Sequence, residues 1–403
     1  FFTVRVKLEQ RERQHSFPPT KRIIISARQN NQITGCPIYA VCHFGYYRRM
    51  IDTKTLILGI ESSCDETAAA IVRSDRTILA QQIASSASLH AEHGGVVPEI
   101  AARQHLDVID NVIKSVCKDA GCQLTELDGI AATGGPGLIG GVLVGTMTAK
   151  AMASALGISY FAVNHLEGHA LTARLTNNIA YPYLLLLVSG GHTQLLSVLG
   201  PGHYERLGTT MDDAAGETFD KGAALLGLGY PGGPAIEAAA RTGDQSAVRL
   251  PFPRKGEPDC HFSFSGLKTA VAQRWAKAVA AGNENVNDFA ASLQQAITVS
   301  LCDRVKQALV RFAEAHNERR LVIAGGVAAN QVIGAALKTL ADEHGFDICI
   351  PPTALCTDNG AMIAWVGHEY KKAGKASSFA FTPRPRWPLD EAASPPPGRG
   401  VRT

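Results

Sequence analysis

Two segments of this 403-residue chain share one plan: LILGIE-SSCDET-AAAIV from Leu56 and YLLLLV-SGGHT-QLLSVL from Tyr183. Each is an apolar run, a short turn of hydroxyl, carboxylate or glycine residues, and a second apolar run. Runs of this length bounded by turn residues are strand-sized, so each segment is expected to be a β-hairpin with polar groups at its bend. The copies agree in form rather than in identity, as an internal duplication would. Stretches of helical periodicity follow, such as PEIAARQHLDVIDNVIKSVCKDA (98–120). Two further segments, LDGIAATGGPGLIGGVLVG and RLVIAGGVAANQVIGAALKTL, read as strand, glycine turn and helix. Strands alternating with helices give an α/β fold, and a chain this long can bury two cores.

The glycine turns carry the first functional signal. VSGGHT (188–193) and IAGGVAAN (323–330) follow strands, and glycine there lets backbone N–H groups close around a phosphate or acyl oxygen. The second also opens a helix, whose N-terminus suits a nucleotide, with Asn330 placed to bond its ribose or base. TGGPGLIGG (133–141) has the same character. Neither GxxxxGK[ST] nor a dinucleotide GxGxxG with its acidic partner is present. Two hairpin loops followed by GG-x-x-x-N instead resemble the actin, sugar-kinase and heat-shock-chaperone (ASKHA) superfamily, in which a nucleotide sits between two related lobes.

HLEGH (165–169) places two histidines four apart on one helix face, where they can hold a cation. Asp358, in LCTDNGAMIA, is the candidate third ligand. Two imidazoles and a carboxylate leave coordination positions open, the pattern of a catalytic site. On ligand type Fe(II) and Zn(II) fit about equally; Fe(II) is the preferred expectation, Zn(II) the alternative. A zinc peptidase is excluded by spacing. In H-E-x-x-H the glutamate directly follows the first histidine, whereas Glu167 is two residues on, about 200° round the helix.

Charge divides the chain. Residues 1–49 hold nine Lys/Arg against Glu9 and Glu12, a surplus of seven, while the whole chain is only +3; the body is therefore acidic by four. The body lacks the basic stripe of an independent RNA binder. The extension 1–49 shows no clear periodicity and is expected to be disordered, an upstream sequence read in with the true start at Met50. The remaining expected bounds are 50–180 and 181–355 for the two lobes. Residues 356–390 would carry the ligand turn and a helix returning to the first lobe, and the Pro/Gly-rich tail 391–403 is expected to be unstructured. Nine scattered cysteines without a CxxC pair argue against a disulfide framework and for a reducing cytoplasm. No apolar run near twenty residues suggests a membrane span.

From Leu56 to Leu389 the chain closely resembles the tRNA threonylcarbamoyl transferases, called TsaD in bacteria and once described as O-sialoglycoprotein endopeptidases. The resemblance rests on LGIESSCDETAAAIV, HAEHGGVVPEIAARQH, GGPGLIGGVLVG, NHLEGH, LLLVSGGHTQL, DDAAGETFDKGAALLGLGYPGGP, FSFSGLKTA, AGGVAAN, CTDNGAMIA and RPRWPL, in that order. It implies a two-lobed actin-like fold, each lobe a ribonuclease-H-like mixed sheet flanked by helices. It implies transfer of threonylcarbamoyl from threonylcarbamoyl-adenylate to the exocyclic amine of the adenosine 3′ of the anticodon in tRNAs reading ANN codons, releasing AMP.

By motif match His165, His169 and Asp358 would bind metal. Leu187, Val188, Ser189, Gly190 and Gly191 would line the phosphate and carbamoyl groups, and Asp220, Gly233 and Asn330 would hold the adenosine. Glu237 stands where many members have Asp and some Ser, so its ribose contact departs from the family pattern. Implied partners are tRNA, a TsaB-like paralogue docking on the helix PEIAARQHLDVIDNVI, and a TsaE-like ATPase. Ser189 is a candidate for stabilising charge in the transition state, against a plain turn-capping role. Asp65 and Glu66 are candidates for taking the amine proton, against hairpin capping. Cys64 reads as a small residue rather than a nucleophile. Lys268, Arg384 and Arg386 are local candidates for RNA contact. A catalytically silent scaffold would have lost HxxxH and Asp358; this chain keeps all three.

Overall fold

The computed structural model describes strands at 3–9, 22–29 and 32–33, and residues 54–86 and 96–395. Within 1–49 the structure differs from the expected disorder: Thr3–Glu9 (β1) pairs antiparallel with Arg22–Gln29 (β2), which pairs with Gln32–Ile33 (β3). TVRVKLE does alternate apolar with charged residues, and RIIIS supplies a β-branched run; both are strand signals that the charge count obscures. The proposed tail residues 396–403 and the HAEHGG part of the family motif lie outside the described residues.

Each hairpin segment opens a sheet of five strands. Leu56–Glu61 (β4), Glu66–Arg73 (β5) and Ile78–Ser85 (β6) form an antiparallel meander. After helix Pro98–Asp119 (α1), strand Gly129–Gly135 (β7) returns beside β4, parallel to it. Helix Ile139–Leu156 (α2) then leads to Ser159–Asn164 (β8), parallel to β7. The order is β6-β5-β4-β7-β8. Parallel neighbours need a crossover, which is why helices appear only after the meander.

His165–Asn177 (α3) links this sheet to the second, built from Tyr183–Val188 (β9), Thr193–Gly200 (β10) and His203–Thr209 (β11). There follow helices Ala215–Leu225 (α4), Gly232–Ala240 (α5), Ser265–Ala281 (α6) and Val286–Ala315 (α7), strand Arg320–Ala324 (β12), helix Gln331–Glu343 (α8), strand Asp347–Cys349 (β13) and helix Gly360–Lys372 (α9). The second order, β11-β10-β9-β12-β13, repeats the first position for position. The duplication read from two hairpins therefore extends to the whole sheet topology.

The pair α3 and α9 lies between the sheets. Leu166, Ala170, Leu171, Ile363 and Val366 share one core with Ile57 and Val72 of the first sheet and Leu185, Leu187 and Leu196 of the second. The opposite face of β9, Leu184, Leu186 and Val188, packs on Phe219, Leu293 and Ile297 of α4 and α7. A strand buried on both faces needs an unbroken apolar run, and YLLLLV supplies it. Helix α9 rests on the first sheet at backbone contact: a Cβ on Gly59 would stand 2.2 Å from Gly360 O and 2.3 Å from Ala364 N.

Two expectations change here. Helix α2 is long and apolar enough by composition to span a membrane, but Gly141, Val142, Gly145, Ala149 and Ala153 are buried. The glycine turn 133–137 does not hold a ligand either. A Cβ on Gly135 would meet Arg384 O at 1.8 Å, Arg384 N donates to Gly134 O (2.7 Å), and Gly137 N donates to Pro385 O (3.1 Å). The C-terminal segment around RPRWPL occupies the place foreseen for a phosphate.

Candidate functional site

Strand β8 passes directly into α3, and Asn164 caps the helix by accepting Leu166 N–H at 2.9 Å. His165 thus sits at the first helical position and His169 one turn on. Asp358 lies just before α9, whose cap Asn359 is fully buried and accepts Met362 N–H at 2.9 Å. Gly168 brings the two helices together: a Cβ there would be 3.0 Å from both Ile363 Cδ1 and Met362 Cγ. Gly168 is therefore a packing glycine inside an intact helix.

Asp358 Oδ1 is 3.1 Å from His169 Nε2 and 3.4 Å from His165 Nε2. Ligands bound at about 2.1 Å to one cation, at angles of about 95–110°, stand about 3.1–3.4 Å apart. The triad's donor atoms thus suit a shared ion, and all lie within 4.8 Å of one another. Behind it, Glu61 Oε2 is 2.9 Å from His165 Nδ1, and Ser63 Oγ is 3.1 Å from the same nitrogen. A carboxylate on Nδ1 leaves Nε2 facing the metal position, the usual bracing of a ligand histidine. Glu61 is fully buried and also accepts Ser63 N–H (2.6 Å) and the Thr133 hydroxyl.

Burial opposes charge throughout this cluster, yet opposite charges win. Burial works against the His165 imidazolium, but Asp358 and Glu61 raise its pKa well above the ordinary histidine value. Burial would raise Glu61 and Asp358; His165 lowers the first, and His165 with His169 holds the second well below the carboxylate range. Glu66 goes the other way, pushed up to about 8 by burial, Asp65 and Asp358. A cation at the triad would draw it down again. The Cys64 thiol is raised by burial and Asp65, so a thiolate nucleophile there is disfavoured. Glu167 faces away from the histidines: it accepts Gly202 N–H at 2.7 Å and the Tyr370 hydroxyl. The spacing argument against a peptidase holds in three dimensions.

On the second lobe, the side chains of Leu187 and Val188 are wholly in the core, so only their backbone can touch a ligand. Ser189 Oγ accepts His192 N–H at 3.2 Å, the turn-capping contact, and its hydroxyl hydrogen is left to donate. A Cβ on Gly190, Gly191, Gly233 or Gly326 would meet nothing within 4 Å, so these glycines border open space. Gly325 (φ +97°) is pressed on Val188 O, 2.5 Å from where its Cβ would be, joining the two glycine turns. Asp220 accepts Gly232 N–H (2.8 Å) and Glu237 accepts Gln331 N–H (2.9 Å).

Asn330 caps α8 through Ile333 N–H (3.0 Å) and donates to Gln294 (2.9 Å). Its amide is thus partly spent on structure, which the sequence reading did not foresee. A cavity of about 310 Å³ opens between α5, α7 and α8, lined by Glu237, Arg241, Gln294 and Gln331 among others. That is at the small end of the range for ligand sites.

Sequence reasoning missed Glu61, Ser63, His192 and Tyr230. Burial lowers the His192 pKa to about 4, helped by His165 and His169; burial raises Tyr230 to about 12, with Asp65 and Asp220 contributing. Tyr230 therefore feels carboxylates from both lobes. A glutamate ending the apolar run LILGIE was the available signal for Glu61.

Repeated five-strand sheets, a shared helix pair between them and glycine loops facing the interval define an actin-like two-lobed protein with a His–His–Asp cluster on its first lobe. The pattern of the family described as TsaD, tRNA N6-adenosine threonylcarbamoyltransferase, matches residues 77–365, and the chain belongs to that family. A protein of that name from Bartonella tribocorum is 55% identical over 359 residues, 86% of this chain and 98% of its own length. One from Brucella suis is 54% identical over 353 residues, with the same shares. Among solved structures, HypF from T. kodakarensis matches 79% of this chain at TM-score 0.55 and 15% identity, and full-length HypF in a phosphate- and nucleotide-bound form matches 80% at 0.54 and 12%. The chain spans about half the length of these HypF chains (48% and 56%), and the likeness concerns the fold alone.

Proposed function

We propose that this chain transfers threonylcarbamoyl from threonylcarbamoyl-adenylate to the exocyclic amine of the adenosine 3′ of the anticodon in tRNAs reading ANN codons. The amine nitrogen forms the new bond to the carbamoyl carbon, the bond from that carbon to the phosphate oxygen breaks, and AMP leaves with one amine proton released. The observation that carries this reading is the triad His165, His169 and Asp358, intact and braced by Glu61, in a chain of this family. The triad would hold one divalent cation, Fe(II) preferred or Zn(II), whose chemistry is to bind and polarise the threonylcarbamoyl group.

The rest falls to protein groups. The backbone at Leu187–Gly191 would line the phosphate and carbonyl oxygens, with the Gly190 and Gly191 amides as donors, because Ser189 N–H already donates to His192 O (2.8 Å). Ser189 adds its hydroxyl hydrogen to the growing charge. Asp220, Gly233, Glu237 and Asn330 surround the adenosine. Asp65 or Glu66 takes the amine proton. Exposed Leu106, Ile139, Leu143 and Met147 on α1 and α2 support docking of a TsaB-like paralogue, with a TsaE-like ATPase joining in the cytoplasm. RNA contact falls to Lys268 and Arg386; Arg384 is engaged with Glu391 and lies over Trp387.

Reconstitution with those partners, tRNA and threonylcarbamoyl-adenylate, followed by nucleoside analysis, tests the reading; tRNA left unmodified by the metal-loaded assembly would sink it. Within that assay Ser189→Ala is expected to lower kcat about tenfold or more with KM for the adenylate nearly unchanged, because charge on the carbonyl grows only in the transition state. Asn330→Ala is expected to do the reverse, raising KM, and to cost about 1 kcal/mol through its lost cap. Unchanged turnover in Ser189→Ala at normal metal content would leave Ser189 as a turn cap.

A further inference from the structure

The turn between β4 and β5 does two jobs. Its first residues brace His165 through Glu61 and Ser63, and its last present Asp65 and Glu66. Position matters here, since a misplacement of about 1 Å in a reacting group can cost a hundredfold in rate. Several neighbours fix this turn. Ser62 Oγ donates to Gly141 O (2.9 Å), Leu138 N–H to Ser63 O (2.8 Å), and Ser86 Oγ to Asp65 O (2.6 Å).

The middle residue of the turn is held by a side chain to which neither the family motif nor the reaction assigns a part. His105, 1% exposed on the inner side of α1, has Nε2 3.1 Å from Cys64 O and Nδ1 2.7 Å from Thr67 Oγ1. A carbonyl only accepts, so Nε2 carries the hydrogen and donates to it; in the neutral ring Nδ1 then accepts from the Thr67 hydroxyl. Helix α2 closes the third side, for a Cβ on Gly141 would stand 2.8 Å from His105 Nε2. One ring thereby ties α1 to the middle of the bend, at Cys64, and to the start of β5, at Thr67. The atom it grips lies between Ser63, which touches His165, and Asp65, a candidate for taking the amine proton.

We propose that His105 is a positioning residue for the transfer. Through the Cys64 carbonyl it sets where Asp65 and Glu66 stand relative to the metal triad, without touching substrate. This rests on the threonylcarbamoyl reading above. Because the adenylate loops lie on the other lobe, loss of His105 is expected in kcat and not in KM for the adenylate.

Two substitutions of like polarity separate this role from simple packing. The longer glutamine side chain can carry its amide nitrogen to the Nε2 position and keep the bond to Cys64 O. Asparagine is too short to reach that carbonyl and replaces only the Nδ1 side. In the reconstituted assembly, His105→Gln is expected to keep kcat within about threefold of wild type, and His105→Asn to lose about tenfold or more at unchanged adenylate KM.

Metal content by elemental analysis should match wild type in both. Hydrogen exchange of the amides at 63–66 should rise in His105→Asn alone, a readout that does not depend on the reaction. Equal kcat in the two variants, or a loss confined to KM, overturns the proposal. Inactive wild-type assembly overturns the functional reading instead, and unchanged exchange at 63–66 in His105→Asn overturns the positioning role whatever the activity.

Discussion

His169→Ala is expected to lose its bound cation and, with it, at least about a hundredfold of threonylcarbamoyl transfer, while the chain stays folded. His169 is 2% exposed and its Nδ1 has no hydrogen-bond partner among the described residues, so truncation strands no partner on that side. His165 and Asp358 remain, but two donors do not fix an ion. His165→Ala makes a poorer test. It leaves Glu61 fully buried beside an empty space, and removing one member of a buried charged pair costs about 3 kcal/mol or more. Metal analysis alongside thermal melting separates the two cases. Full metal occupancy in His169→Ala would end the assignment of the triad.

Gly59→Ala is expected to be strongly destabilising for the addition of a single methyl. The added Cβ would meet Gly360 O at 2.2 Å, Ala364 N at 2.3 Å and Ala364 Cβ at 2.8 Å. Two of these are backbone atoms of α9, and α9 has little freedom to retreat. A Cβ on Gly360 would already be 2.4 Å from Ala69 C and Ala70 N of the neighbouring strand. Overpacking of this kind is expected to cost about 3 kcal/mol or more. Asp358 precedes Gly360 by two residues, so any slide of the helix also moves a member of the candidate metal triad. Denaturant melts should show the loss, and metal affinity should fall with it. A stability change below about 1 kcal/mol would mean that α9 is not seated on the sheet as described.

Much of the architecture was legible because the hairpins are stiffly specified. LILGIE and YLLLLV cannot be satisfied except as strands covered on both faces, and a polar bend of six or five residues between apolar runs leaves little choice of connection. The metal cluster was legible for a related reason: His165 and His169 are set by helix period alone, and Asp358 stands on a turn next to a helix cap. What was misread depended on partners distant in the chain. TGGPG looked like a phosphate loop because nothing local distinguishes a glycine that admits a ligand from one that admits Arg384 of its own C-terminus. Gly168 likewise has a reason that no local pattern shows: the approach of Met362 and Ile363, nearly two hundred residues away.

The sequence by itself determined the α/β class, the duplicated plan, the candidate metal triad and the family. Each follows from local period, residue chemistry or ordered motifs, which do not require knowing what packs on what. The tertiary structure decided the rest. It placed α3 and α9 between the sheets, turned Glu167 towards Gly202 and Tyr370, set Glu61 behind His165, and gave His105 its grip on the turn between β4 and β5. Those roles belong to buried polar groups. In the interior such a group must find a partner of matching donor or acceptor type, and which partner it finds is settled only when distant segments are folded against one another.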